Sequence, residues 1–215
     1  MKIVVIEDEL LVRELIVKVA EDILGFEVIG QSGDGMHGLD LCRKTNPQLV
    51  LMDITIPELD GIELSKILLR EKPEMRILAL SSEYDQYTLF RLFQAGIHGY
   101  VDKLTSSIDV LRDAIATVAG GKAYFSDLAL KVKMEMQTDP SSFAKVLSDR
   151  EVEMMQLFAR GFSNVEIAER LAISPLTVQS HRRSVMKKLD LHSVKQLMRY
   201  AVEKGFWHAY ATVLD

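Results

Sequence analysis

Five short apolar runs set the strongest limit on how this chain can fold. They are KIVVI at 2–6, FEVIG at 26–30, LVLMD at 49–53, RILAL at 76–80 and GYV at 99–101. Each is aliphatic or β-branched almost throughout rather than alternating with polar residues. That is the pattern of a strand covered on both faces in a parallel sheet. Stretches of helical spacing separate the runs, near 35–45, 60–71 and 84–95, and another follows at 106–119. In the first helical stretch Val12, Leu15, Ile16, Val19 and Ile23 fall on one face. Such βα units, joined by right-handed crossovers, predict an α/β domain: a doubly wound, five-stranded parallel sheet with helices on both sides.

After AGGKAYFS at 119–126 the strand pattern stops. DLALKVKMEMQ suggests a linker helix, and TDPSS at 138–142 is the best break in the chain. Only helices are predicted beyond it, over 149–160, 164–172, 175–189 and 193–204. Ser148, Ser163, Ser174 and Ser193 are their candidate N-caps, and Pro175 takes a first helical position. The expected organisation is therefore residues 1–122, a linker at 123–145, and an all-α domain at 146–215. Charge divides along the same line: residues 1–145 carry a net −7 and residues 146–215 a net +2. Two charge regimes suggest two jobs. The single cysteine, Cys42, rules out an internal disulfide and reads as a core thiol. MKIVVIEDE meets charge too early for a signal peptide, and no apolar run is long enough for a membrane span, so no membrane and a cytoplasmic location are expected.

Ligands of an open α/β sheet bind outside the carboxyl ends of its strands. Asp53 closes the third run, Glu7 and Asp8 follow the first, Ser81 follows the fourth and Lys103 the fifth. The carboxylate at the tip of an otherwise apolar strand thus belongs to a crevice. Three carboxylates at one rim repel one another unless a hard cation such as Mg²⁺ joins them. A lysine and a hydroxyl beside them suit a phosphoryl group. A carboxylate there can itself attack phosphorus and form an acyl phosphate.

Residues 1–122, through EDE, MDITIPELDG, LALSS and GYVDK, resemble the receiver domain of two-component response regulators, a flavodoxin-like fold. The resemblance implies that Asp53 is the phospho-acceptor and that Mg²⁺ is the cofactor. Glu7, Asp8, Asp53 and the carbonyl of Thr55 would be its ligands, Glu7 through water. It further implies that Lys103 contacts the phosphoryl group and that Ser81 and Tyr100 form a coupled switch. Leu104 departs from the proline that many receivers carry after the lysine.

In the third C-terminal helix, SPLTVQSHRRSVMKKLDL, Val178, Val185 and Leu189 cluster on one side, with Gln179, Ser180, Arg183 and Lys187 opposite. The helix before it supplies Ile167, Ala168 and Leu171, as a helix–turn–helix requires. Arg183 suits guanine and Gln179 adenine, whereas Arg182, Lys187 and Lys188 suit phosphates. LSDREVEMMQLFARGFSNVEIAERLAISPLTVQSHRRSVMKKLDLHS resembles the LuxR/NarL-type DNA-binding domain, with Thr177 among the residues that carry the likeness. Gln179 departs from that family's usual lysine. Together the two resemblances imply a NarL/FixJ-type response regulator. Its expected partners are a sensor histidine kinase, double-stranded DNA, RNA polymerase, and a second copy of itself when phosphorylated. An aspartyl-nucleophile phosphatase of the haloacid-dehalogenase type would need D-x-D after the first strand, where this chain has EDE, so an enzyme is not expected. A protein-binding adaptor would lack the basic helix face.

Overall fold

The structure is a computed structural model and describes residues 1–208. Residues 209–215 of the expected second domain lie outside the described residues. The described chain forms two compact units. One comprises 1–84 and 91–130, the other 85–90 and 131 onward.

The first unit is built on a parallel sheet in the order β2-β1-β3-β4-β5-β6. Its strands are β1 (Lys2–Ile6), β2 (Glu27–Ser32), β3 (Leu49–Asp53), β4 (Arg76–Ser81), β5 (Gly99–Asp102) and β6 (Tyr124–Phe125). The five expected strands form, and a sixth joins them. β6 is two residues long and exists through its pairing with Gly99 and Tyr100, so no local pattern announces it. The central strands β3 and β5 are buried along their whole length, while the edge strands β2 and β6 are only partly covered.

The helices are α1 (Leu10–Lys18), α2 (Gly35–Thr45), α3 (Gly61–Glu71), α4 (Gln86–Ala95, in this unit from residue 91) and α5 (Ile108–Ala119). Ile3, Val5, Leu49, Leu51, Leu78, Leu80 and Val101 on one sheet face share a core with Ile16 of α1 and with Leu111, Ala114, Ile115 and Val118 of α5. On the other face α2 comes close enough that a Cβ on Gly38 would meet Ile6 Cδ1 at 2.7 Å. The α1 stripe differs from expectation. Val19–Ile23 winds as a π-helical turn, which advances each residue less far around the axis. Val19 and Ala20 are buried, but Leu15 and Ile23 turn out to solvent.

In the second unit α6 (Asp127–Thr138, from residue 131) and α7 (Phe143–Val146) precede α8 (Asp149–Ala159), α9 (Asn164–Arg170), α10 (Pro175–Lys188) and α11 (Val194–Glu203). A short 3₁₀ turn, Phe206–His208, follows. Each expected cap forms. The side chains of Ser148, Ser163, Ser174 and Ser193 accept the backbone N–H of Glu151, Glu166, Thr177 and Gln196. Ser148 and Ser163 complete reciprocal capping boxes with Glu151 and Glu166. An aromatic cluster anchors this unit: Tyr87 stacks on Phe206 at 4.3 Å, and Phe143 meets Phe206 edge-on at 4.9 Å.

The turn between α9 and α10 is a Schellman stop. Ile173 N–H donates to the Ala168 carbonyl at 3.0 Å and Ala172 N–H to that of Glu169 at 3.3 Å. Ala172 takes φ +51°, where a Cβ costs about 1–2 kcal/mol. Ala172→Gly is therefore expected to stabilise this unit, by about 0.5 kcal/mol once the looser unfolded chain is counted. The one tryptophan, Trp207, lies in this unit, so its fluorescence in urea follows the transition. An unchanged or lower midpoint contradicts the expectation.

Candidate functional site

The parallel register carries the carboxyl ends of the strands to one rim. Ile6 pairs with Met52, Asp53 with Leu80, and Ser81 with Asp102. The residues that follow these strand ends therefore meet. Ligand oxygens of Glu7, Asp8 and Asp53 lie within 4.8 Å of one another. Glu7 is fully buried, Asp53 is 6% exposed, and Asp8 opens to solvent. Lys103 Nζ bridges two of them, 2.6 Å from Glu7 Oε2 and 2.7 Å from Asp53 Oδ2. Thr55 is placed by its backbone N–H, which donates to Asp53 Oδ1 at 3.0 Å.

Electrostatics follow from this crowding. Burial raises the Glu7 pKa above the ordinary glutamate value, and the Lys103 ammonium only partly offsets it. Burial also works against the Lys103 charge, but Asp53 and then Glu7 outweigh it, so that the Lys103 pKa is raised. The lysine stays cationic and holds together carboxylates that would otherwise repel. Three hard oxygen donors at this spacing fit a divalent cation.

Ser81 and Tyr100 are both fully buried, and they hold the same loop residue from two sides. Glu83 N–H donates to Ser81 Oγ at 2.9 Å, and Tyr100 Oη donates to the Glu83 carbonyl at 2.6 Å. Sequence reading missed Asp102, which is 1% exposed. Its carboxylate accepts from Leu104 N–H at 2.9 Å and from the Thr105 hydroxyl at 2.6 Å. A proline at 104 would have no N–H to give, so the leucine here lets Asp102 fasten the turn after Lys103.

In the second unit, Val178 and Val185 of α10 are fully buried and Leu189 just beyond it nearly so. Thr177, Ser180, Arg183 and Lys187 are exposed and Gln179 is half-buried. The expected polar face is therefore presented. Two of the expected phosphate contacts have partners inside the unit. The Arg182 guanidinium lies 4.5 Å over the Phe158 ring, and Lys188 Nζ is 2.6 Å from Glu151 Oε2. Glu151 is the second residue that sequence reading passed over as a site. Its place three residues after Ser148 marks a capping box, but nothing local ties it to residue 188. In α11, Leu197 and Ala201 are fully buried, while Val194 and Val202 stay about half exposed.

Two family models match the chain. Residues 3–116 match the family described as response regulator receiver domain, and residues 145–201 that of bacterial regulatory proteins, luxR family. The chain is 34% identical over 208 residues to the transcriptional regulatory protein MctR of Rhizobium johnstonii, covering 95% of this chain and 94% of that one. It is 34% identical to the response regulator GacA of Pseudomonas aeruginosa, over 95% of this chain and 96% of that one. With the response regulator UvrY of Escherichia coli it shares 31%, over 96% of each. Among solved structures it is similar to RcsB of Salmonella enterica serovar Typhimurium bound to a promoter with the phosphomimetic BeF₃⁻. That likeness has a TM-score of 0.67 at 26% identity, covering 94% of this chain and 98% of that one. A structure of two RcsB dimers on two parallel DNAs matches with a TM-score of 0.64 at 27% identity, over 94% and 98%.

Proposed function

We propose a function from a settled premise: this chain belongs to the response regulators that join a receiver domain to a LuxR-type DNA-binding domain. It is a two-component, DNA-binding regulator of transcription and not a classical enzyme. The finer reading is that a sensor histidine kinase phosphorylates Asp53 and that this controls dimerisation and sequence-specific binding. The observation that carries it is the Lys103 ammonium bridging Asp53 and Glu7, with Asp8 alongside.

In this reading Asp8, Asp53 and the Thr55 carbonyl would hold Mg²⁺ directly and Glu7 through water, and the ion would supply positive charge against the phosphoryl oxygens. An Asp53 carboxylate oxygen attacks the phosphorus of a phosphohistidine. The O–P bond forms as the N–P bond breaks, and the kinase imidazole leaves and takes up a proton. Lys103 keeps its charge throughout and pairs with the phosphoryl group. The Ser81 hydroxyl turns to a phosphoryl oxygen and gives up the Glu83 N–H. Because Tyr100 holds the same residue's carbonyl, the β4–α4 loop shifts its hold on both side chains together.

Thr177, Gln179, Ser180, Arg183 and Lys187 form the face offered to DNA. Self-association is supported by an apolar surface of the first unit, where Leu15, Leu104 and Ile108 are exposed around a groove of about 300 Å³. The apolar residues of α11 support it less, since Leu197 and Ala201 are core and only Val194 and Val202 stand out. Among the described residues no helix is long and apolar enough to cross a membrane, and a cytoplasmic site of action fits the DNA partner.

The test is sedimentation and DNA titration at fixed salt, with and without beryllofluoride and Mg²⁺. The mimic is expected to raise both self-association and DNA affinity, by at most the factor by which it favours the competent state. If it changes neither, phosphorylation does not control binding in this way.

A further inference from the structure

The buried acid Glu151 makes contacts that a helix cap does not need. It is the third residue of α8 and 4% exposed. One of its oxygens, Oε2, accepts from the Ser148 backbone N–H at 2.8 Å and from the Ser148 hydroxyl at 3.1 Å, which completes the cap. The carboxylate then reaches another helix. Oε1 accepts from the Ser184 hydroxyl at 2.8 Å, and Oε2 takes the Lys188 ammonium at 2.6 Å. Ser184 and Lys188 are four residues apart and so lie on one face of α10.

Every strong partner of this carboxylate comes from the α8 cap or from the C-terminal half of α10. Burial opposes its charge. The bonds from Lys188, from the Ser148 N–H and from Ser184 outweigh that, and its pKa falls to about 2. The neighbouring side of α10 carries Val178 and Val185 in the core, and beyond them Arg182 lies over Phe158 of α8. The helix is thus held against α8 along most of its length, by apolar contact first and by a charge at its end.

We propose that Glu151 is a positioning residue for DNA readout: it holds α10 against α8 through Ser184 and Lys188, and Lys188 serves as an internal tie rather than a phosphate contact. The inference rests on the DNA-binding reading of α10. The physical reason is geometric. Arg183 and Gln179 can form paired bonds to a base edge only if the axial rotation of α10 is held to a fraction of an ångström. Apolar contacts through Val178, Val185 and Leu189 are non-directional, and the clamp that the buried Glu151 carboxylate makes with Ser184 and Lys188 adds a directional hold four residues wide.

The experiment uses the full chain with beryllofluoride and Mg²⁺. The probes are a duplex that the wild type enriches from a random library and a random-sequence duplex, over a range of salt. Glu151→Gln and Lys188→Met are each expected to weaken the enriched duplex by about tenfold, the size of one charge-assisted bond. Binding to the random duplex and the salt slope should stay as in the wild type. The double variant should be no worse than either single, because both remove the same tie, and Lys188→Arg should restore affinity. If Lys188→Met instead flattens the salt slope by about one ion and weakens both duplexes alike, Lys188 touches phosphate and the proposal fails. It also fails if the variants lose stability but keep the ratio of the two affinities. Should Glu151→Gln not fold, Lys188→Met and Ser184→Ala leave the α8 cap in place and decide the question alone. A wild type that enriches no duplex overturns the DNA-binding reading, and this inference with it.

Discussion

Asp53→Asn is expected to abolish phosphate uptake from a small-molecule phosphodonor. The residue ends a strand that is buried over its whole length, and asparagine has the same shape, so β3 and its register should survive. What is lost is the nucleophile, since an amide oxygen forms no stable acyl phosphate under these conditions. The variant also removes the charge that most strongly supports the Lys103 ammonium. Lys103 should keep Glu7, 2.6 Å away, as its remaining partner. Intact mass after incubation with donor and Mg²⁺ gives the result. One added phosphate in the wild type and none in Asp53→Asn is expected. The same addition in the variant would place the acceptor elsewhere and end the reading of this site.

The second large effect should come from Gly61→Ala, a change that adds one carbon. Gly61 opens α3 at the point where the chain doubles back against the end of β3. Its N–H donates to the Ile54 carbonyl at 3.0 Å. A Cβ there would sit 2.4 Å from the Asp53 carbonyl oxygen and 2.7 Å from Ile54 Cα. Both are backbone atoms, and the neighbouring Asp60, 1% exposed, is committed as the N-cap to Ile62 and Glu63. Neither side can yield without moving the phospho-acceptor. Overpacking of this kind costs about 1–3 kcal/mol, more than alanine recovers from the unfolded chain. Stability in urea should fall by about that much. Phosphorylation should slow on the order of a hundredfold if Asp53 shifts by near 1 Å. A wild-type midpoint with a wild-type phosphorylation rate would mean that the strand end is less tightly held than these distances imply.

Much of the architecture was legible because its causes are local. A β-branched run, a serine three residues before an N–H it can cap, and a proline at a first helical position each act within a turn of chain. All four serine caps of the second unit form for that reason. The acidic rim was legible because parallel strands, once recognised, must deliver their carboxyl ends to one side. The helix wheel of α10 likewise placed Val178 and Val185 in the core.

What the sequence by itself determined, then, is the set of elements, their order, and the residue types offered at the strand ends and on the recognition helix. The tertiary structure alone decided where side chains distant in sequence found one another. β6 forms only because Gly99 and Tyr100 leave an edge to pair with. The π-turned end of α1 rotates Ile23 outward although its spacing matched the buried stripe. Leu197 and Ala201 of α11 are core, while Val194 and Val202 of the same helix are about half exposed. Lys188, one basic residue among several, is paired with a buried carboxylate 37 positions away. Periodicity records which face of an element is apolar. It does not record which polar groups on other elements will stand within 3 Å, and the strength of a charge pair depends on that distance and on burial, which only the packed chain supplies.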